Sequence, residues 1–254
     1  MKHQKELTIV NSYLNYPKVT LIPTSKNYFI HIAAEVDQNT IPFFIKQSSK
    51  KKTLIKFCKQ QTKKLEKIEG VVNCSVFKAT VIPPGQGQYI LENSSKTHLA
   101  KFDVVILIEV NSSTVLHQLQ TNSTFTDLMI KIKETASFIH CITASNVRRI
   151  GAVNHARQGV FLFNYFYGKS IEQNLSVWEY TAGWFEKETD LDNSTLLLPI
   201  HKEDSAYTII NHCRWNTLWD IIPDLLFKRT FKKYVLDNFY ANQVGAQPIL
   251  YKLA

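Results

Sequence analysis

The residue types best suited to chemistry gather at residues 207–216, which read YTIINHCRWN. This stretch begins like a half-buried strand and ends in amide, imidazole, guanidinium and indole side chains. Because side chains alternate between the two faces of a strand, Asn211 and Trp215 share one face, and His212 and Arg214 share the other. Such groups can hydrogen-bond to a ligand and hold it against an apolar wall. The stretch is therefore the first candidate for a binding or catalytic site.

Two further candidates precede this stretch. Asn164 stands among aromatic residues in the strand-like run at 160–168, and Trp178 lies on the helix-like pattern at 171–185. A buried asparagine costs free energy unless it is hydrogen-bonded, so Asn164 must pair with Asn211, with backbone groups or with a ligand. Each side chain also has a purely structural explanation in a packed core, and no catalytic role is assigned; the hypothesis of a site depends on their clustering. The candidate ligand-binding residues are Asn164, Trp178, Asn211, His212, Arg214 and Trp215.

The elements that must position these residues follow the order β-α-β-β-α-β, and this order occurs twice. In the N-terminal half, strands are predicted at 28–36, 71–82, 102–110 and 138–144, with helices near 54–68 and 113–132. In the C-terminal half, strands are predicted at 160–168, 194–200, 207–215 and 246–254, with helices at 171–185 and 217–240. Pro223 predicts a break in the last helix.

This order predicts an α+β fold with two tandem ferredoxin-like domains. The first occupies 1–150, with an N-terminal extension and a basic helix, and the second occupies 158–254 and carries the candidate pocket. The polar, glycine-flanked stretch at 145–159 is interpreted as the link between them. The two sheets could face each other as an intramolecular version of an α+β barrel.

The two predicted halves differ where chemistry is expected. When the third strands are aligned on Asn111 and Asn216, His212 falls on Leu107, and the N-terminal copy is apolar throughout. The four tryptophans of the chain all lie in the C-terminal half. If the halves arose by duplication, we expect the chemistry to lie in the second one.

Charge is distributed unevenly along the chain, whose formal net charge is +9. Residues 1–157 hold 21 Lys and Arg against 10 Asp and Glu, whereas residues 158–254 hold 9 against 11. The excess concentrates in the segment from Lys46 to Lys67, which holds nine lysines and could meet an acidic partner or form a solvated helix face. The segment has no arginine and a single aromatic residue, Phe57, so nucleic acid is an unlikely partner.

Composition and motifs exclude several other classes of protein. No apolar run is long enough for a membrane helix, and the first residues lack the pattern of a signal peptide. The four cysteines are scattered without a CxxC pair, which favours reduced thiols in a cytoplasmic protein over a disulfide or metal framework. The sequence contains no glycine-rich phosphate loop, HExxH motif or calcium-loop spacing.

A family resemblance rests on AYTIINHCRWN at 206–216, followed by a predicted helix and RTFKKYV at 229–235. These segments resemble the C-terminal half of antibiotic-biosynthesis-monooxygenase-like proteins, in the dimeric α+β barrel superfamily. That group includes cofactor-free oxygenases of polycyclic aromatic molecules and enzymes that degrade haem. In the haem degraders an asparagine of the first strand and a tryptophan of the third line a cleft between sheet and helices. The resemblance implies these positions for Asn164 and Trp215.

The resemblance leaves several functions open. The iron-binding helix histidine of haem degraders is absent near 232–235, and the predicted helices of the second half contain no histidine. Haem, as in chlorite-dismutase-like and dye-decolourising proteins, is therefore the weaker alternative to a protein without a cofactor. VFLFNY at 160–165 fits the first motif of an RNA-binding RRM, but the second motif is missing and this half is acidic.

The function expected from the sequence is binding of a small apolar or aromatic molecule in the C-terminal half, with its oxidation as a monooxygenase-like step. The competing function is a non-catalytic scaffold that uses the lysine-rich segment. The sequence does not decide whether the protein is an enzyme.

Overall fold

The computed structural model describes residues 7–93, 95, 97–201, 203 and 205–254. This part of the chain contains eight strands and seven α-helices. The strands are β1 (Tyr28–Glu35), β2 (Val71–Val81), β3 (Val104–Val110), β4 (Phe138–Arg149), β5 (Val160–Gly168), β6 (Thr195–Pro199), β7 (Ile209–Trp215) and β8 (Val244–Leu253). The helices are α1 (Ser49–Leu65), α2 (Gln88–Glu92), α3 (Ser113–Gln120), α4 (Ser123–Thr135), α5 (Ile171–Thr189), α6 (Ile222–Phe227) and α7 (Asp237–Ala241).

The strands form a closed barrel in the order β4-β1-β3-β2-β8-β5-β7-β6, in which β6 pairs with β4 again. Every pairing is antiparallel. The first four strands of the chain contribute β4-β1-β3-β2 and the last four contribute β8-β5-β7-β6, so both halves use the same order. The halves join at β2–β8 and β4–β6. The barrel therefore closes within one chain and leaves no free edge among the described strands.

Each of the helices α1, α3, α4 and α5 begins after a polar N-cap residue. The N-cap side chains of α1, α3, α4 and α5 accept hydrogen bonds from backbone N–H groups of the first turn, which would otherwise lack partners. These caps are Ser48, Ser112, Asn122 and Ser170. The last helical region is less regular, since a 3₁₀ helix (Leu218–Asp220) and a π-helix (Phe231–Leu236) flank α6.

Apolar residues form three layers. Helices α1, α3 and α4 pack on the outer face of β4-β1-β3-β2, whereas α5, α6, the π-helix and α7 pack on the outer face of β8-β5-β7-β6. The third layer fills the barrel interior with side chains from all eight strands. An eight-stranded barrel has an interior just wide enough for side chains to fill it. The two faces of β5 and β7 therefore contact different environments, one under the helices and one inside the barrel.

The α+β class and the closed barrel confirm the expectation from the sequence, and the division into separate tandem domains stays a prediction. Two details were wrong. Residues 145–149 belong to β4, so the link between the halves begins only after Arg149. The break predicted from Pro223 is present at Ile221, but the region 217–240 is interrupted a second time after Phe227 and continues as a π-helix, which the sequence did not predict. No described helix is long and apolar enough to cross a membrane.

Candidate functional site

Two small adjoining cavities lie between the helices and the outer face of the C-terminal sheet. Their volumes are about 30 and 40 Å³. Five residues line both cavities: Leu162, Asn164, Phe185, Trp215 and Phe239. The rest of the lining is mostly aliphatic and aromatic, with a few hydroxyl and amide groups. An apolar space with a few convergent polar groups is the usual composition of a small-molecule site.

Asn164 lies at the centre of this region. It is opposite Asn211 of β7 on one side and opposite Pro248 of β8 on the other, so it occupies a central strand. The residues before and after it on the same face, Leu162 and Phe166, pack under the helices. The side-chain oxygen of Asn164 is buried and accepts no hydrogen bond from any residue that the structure describes. A buried carbonyl oxygen without a partner costs free energy, and it can accept a hydrogen bond from a ligand.

Asn211 and Trp215 contribute to the same face of the sheet but already have partners. The Asn211 Oδ1 atom accepts a hydrogen bond from Ser194 Oγ at 2.5 Å. The indole N–H of Trp215 donates to Thr189 Oγ1 at 3.1 Å, which fixes the ring against α5. Trp178 of α5 lines one of the two cavities. These residues therefore give a rigid wall, and Asn164 gives the unpaired acceptor.

The outer wall of the first cavity is built from irregular backbone. Phe231 and Val235 of the π-helix line it, and π-helical turns are frequent at functional sites. The opposite wall is the loop Pro83, Pro84 and Gly85, contributed by the N-terminal half. Gly85 has φ of +130°, which a side chain would strain. Both halves of the chain therefore enclose this cavity.

His212 and Arg214 lie on the opposite face of β7, inside the barrel. His212 Nδ1 is 3.0 Å from the carbonyl oxygen of Leu162, and His212 Nε2 is 2.8 Å from His155 Nε2. Burial, reinforced by the neighbouring His155, holds the pKa of His212 well below its ordinary value, so the ring is neutral near pH 7. Arg214 donates to the backbone of Gln158 and to the side chain of Asn216.

The six sequence candidates thus divide into two groups. Asn164, Trp178, Asn211 and Trp215 line the cavities under the helices, whereas His212 and Arg214 do not. The alternation of side chains along β7 anticipated this division. The other tryptophans lie outside the group: Trp219 is 82% exposed, and neither cavity has Trp184 in its lining.

The residues of the cavities do not fit haem. Neither cavity has a histidine among its described lining residues, and His155 and His212 lie on the other side of the sheet. Cys213 lines the second cavity, and burial raises the pKa of its thiol well above the ordinary value. Among the described residues, no group of three His, Cys, Asp or Glu side chains could hold a metal ion.

The lysine-rich segment forms α1, and most of its lysines are exposed. Lys51 is an exception, because its ammonium group is fully buried 3.0 Å from Asp103 Oδ2. Lys52, Lys56 and Lys59 face an open groove beside β2. An acidic partner at this groove stays a prediction.

Comparison with known proteins shows the class of fold. The sequence matches no family model and no curated protein. The crystal structure of an anthrone oxidase-like protein superposes with a TM-score of 0.64 at 8% identity, covering 92% of this chain and 94% of that chain. A candidate monooxygenase from Fusobacterium nucleatum subsp. nucleatum gives a TM-score of 0.56 at 8% identity, covering 90% and 93%. At this identity the likeness shows the fold alone.

These structural neighbours are anthrone oxidase-like and monooxygenase-like proteins, and what this chain shares with them is the fold. A chlorite dismutase variant from Candidatus Nitrospira defluvii superposes with a TM-score of 0.49 at 8% identity, covering 91% and 93%, and is too distant to support an argument. The finer resemblance to antibiotic-biosynthesis-monooxygenase-like proteins stays a prediction.

Sequence reasoning missed the residues that complete the site. Ser194 and Thr189, which hold Asn211 and Trp215, are ordinary polar residues at the ends of β6 and α5. The loop at 83–85 comes from the other half of the chain. Its PPG sequence is typical of a turn, but no local signal places that turn beside Phe231.

Proposed function

We propose that the C-terminal sheet and its helices bind a small apolar or aromatic molecule and oxidise it without a cofactor. The observation that supports this most is the buried, unpartnered oxygen of Asn164 in the wall shared by both cavities. A core that served packing alone would favour an aliphatic residue there, because an unsatisfied buried carbonyl costs about 1–3 kcal/mol. The ligand would carry a hydroxyl or N–H group that donates to Asn164.

The composition of the cavities constrains the chemistry. Among the described lining residues, the thiol of Cys213 is the single titratable group, and it is protonated. The described lining therefore offers no general base, and the substrate must lose a proton readily by itself. An electron-rich ring carbon could then bond to O₂ to give a hydroperoxide, which becomes a carbonyl group as water leaves. The protein would orient the ring against Trp215 and stabilise the anion through the amide N–H of Asn164.

The size of the cavities implies that the helices must move. A water molecule needs roughly 10–15 Å³ of such volume, so cavities of about 30 and 40 Å³ hold only a few waters. Pockets for drug-sized ligands measure about 300–1,000 Å³. The ligand would enter by displacing the loop at 83–85 and α6, which pack on the first cavity mainly through side chains.

Binding of anthrone, a flat tricyclic ketone whose enol tautomer carries a hydroxyl group that can donate to Asn164, tests this proposal. Tryptophan fluorescence should be quenched as anthrone binds, and oxygen consumption with a change in anthrone absorbance would report oxidation. Asn164→Ala and Trp215→Phe should each weaken binding about tenfold, because each removes one contact worth about 1.4 kcal/mol. Trp219→Phe is the matched control, since Trp219 is exposed and lines neither cavity. Equal affinities in all four proteins would contradict the proposed site.

A second candidate function, binding an acidic partner protein, is supported by the groove beside α1. Four of its lysines, Lys52, Lys56, Lys59 and Lys63, repeat along one face of the helix. The Lys59 ammonium group donates to the backbone oxygen of Ala254, and among the described residues the other three have no ion-pair partner. A polyglutamate peptide should bind this face with an affinity that falls as salt rises. Replacing these four lysines with glutamine should abolish that binding and leave anthrone binding unchanged. Persistent peptide binding would exclude the groove.

A further inference from the structure

A third cavity lies inside one end of the barrel, on the other side of the sheet from Asn164. Its volume is about 70 Å³, larger than either cavity under the helices. Both halves line it, and the link after β4 covers it with His155. Its charged and hydrogen-bonding residues are Ser25, Glu109, Arg149, His155, Thr195 and His212.

Two opposite charges face this cavity without neutralising each other. Arg148 reaches outward to Glu179 of α5, with Nε 3.4 Å from Oε2. Since side chains alternate along β4, Arg149 faces the barrel interior. Among the described residues, the Arg149 guanidinium makes no hydrogen bond or ion pair. Glu109 accepts a hydrogen bond from the Asn27 amide at 2.6 Å, and no described cation pairs with it.

The histidines of the cavity have a defined arrangement of protons. The carbonyl oxygen of Leu162 can only accept, so His212 must donate through Nδ1, and its neutral ring then leaves Nε2 as an acceptor. His155 therefore donates Nε2–H to His212 and retains Nδ1 as an acceptor. Burial and the nearby Arg214 lower the pKa of His155 to about 4, so this ring is also neutral. The cavity thus combines one strong donor, Arg149, with two acceptors, Glu109 and His155.

We propose that this end of the barrel is a second binding site, for a small carboxylic acid that carries a hydrogen-bond donor on the neighbouring carbon, that is, an α-amino or α-hydroxy acid. The carboxylate would pair with the Arg149 guanidinium, which matches the geometry of two carboxylate oxygens. The amino or hydroxyl group would donate to Glu109 or His155. An α-amino acid neutralises both unpaired charges at once, whereas an α-hydroxy acid neutralises Arg149 and offers Glu109 a hydrogen bond.

The volume limits the size of this ligand. Since a water molecule needs roughly 10–15 Å³, a cavity of about 70 Å³ accommodates about five non-hydrogen atoms. Glycine and glycolate have that size. Acetate is smaller still and has the carboxylate but no donor on the neighbouring carbon. Its affinity therefore separates the pairing with Arg149 from the hydrogen bond to Glu109 or His155.

Calorimetric titration of the full chain with glycine, glycolate and acetate, at constant ionic strength, tests the site. Glycine and glycolate should bind in the millimolar range, and acetate several-fold more weakly. Arg149→Gln should weaken binding of all three about tenfold, because it removes the charged fork. Arg148→Gln is the matched control and should change nothing, since its side chain lies outside the barrel.

If the Arg149→Gln protein fails to fold, a second variant and a spectroscopic measurement on the unmodified protein still test the site. Glu109→Gln should weaken glycine more than glycolate, because the glutamine oxygen still accepts from a hydroxyl group but loses its attraction for an ammonium group. In the unmodified protein, the imidazole resonances of His155 and His212 should shift as glycine is added. No saturable heat and no shift at tens of millimolar glycine would overturn the proposal, as would equal affinities of the Arg148→Gln and Arg149→Gln proteins.

Discussion

The pair Asn164 and Asn211 offers a test of the site that needs no ligand. The two residues are directly opposite each other on β5 and β7, but only Asn211 has its side-chain oxygen paired, with Ser194. Replacing Asn164 with leucine removes an unsatisfied buried oxygen and adds apolar surface beside two small cavities. We expect the free energy of unfolding to rise by about 1–2 kcal/mol.

The same replacement at Asn211 should have the opposite effect. It leaves the buried Ser194 hydroxyl without its acceptor, at a cost of about 1–3 kcal/mol. Urea unfolding of both variants and of the unmodified protein measures these changes, and an unchanged slope with urea shows that the midpoints report stability. In a protein of this size, each kcal/mol moves the melting temperature by about 2–4 °C.

A stabilised Asn164→Leu protein that no longer binds anthrone would show that Asn164 is kept for binding and not for folding. The reasoning would be refuted if Asn164→Leu lost as much stability as Asn211→Leu. That result would mean that the Asn164 oxygen has a partner in solution, such as an ordered water, and that it carries no information about a ligand.

Three other expectations concern the fold. Burial, with a smaller effect of the nearby His98, lowers the pKa of His140 from 6.5 to about 4 on folding, so the unfolded state binds its proton more tightly. His140 alone therefore contributes about 3 kcal/mol to a decline in stability that begins below about pH 6.5 and continues as the pH falls to 4. In urea unfolding at stepped pH, His140→Gln should flatten this decline, and an unaltered decline would rule out His140 as its source. Lys51→Met should lower the free energy of unfolding by about 3–5 kcal/mol in the same assay, because it leaves the Asp103 carboxylate buried without its cation. A loss below about 1 kcal/mol would show that the backbone N–H groups that donate to Asp103 are enough to stabilise the buried carboxylate. A Cβ atom at Gly183 would overlap the carbonyl oxygen of Pro17, so Gly183→Ala should release the segment before β1 and speed its cleavage in limited proteolysis; a cleavage rate like that of the unmodified protein would contradict this.

The sequence predicted what depends on local pattern. Alternation along β7 separated Asn211 and Trp215 from His212 and Arg214, and the structure places the two pairs on opposite faces of the sheet. The order of elements also predicted an α+β barrel, since strand runs and amphipathic runs are readable over short windows.

What the sequence could not show depends on contacts between distant residues. Lys51 belongs to a run of lysines, which normally indicates a solvated face, and its burial follows from Asp103 at the start of β3. Glu109 and Arg149, which carry opposite charges, line the same cavity only because β3 and β4 both border β1 in the closed barrel. No single-sequence periodicity carries that information.

The closure of the barrel within a single chain has a consequence for its evolution. In a barrel assembled from two identical subunits, symmetry copies every substitution, so an arginine inside one end must reappear at the related position of the other subunit. This chain escapes that constraint, because each position is encoded once. One end of the barrel interior can therefore hold a cation and an anion, Arg149 and Glu109, that have no symmetry-related copies at the other end. For the same reason the two sheets can acquire different functions while the barrel itself stays unchanged.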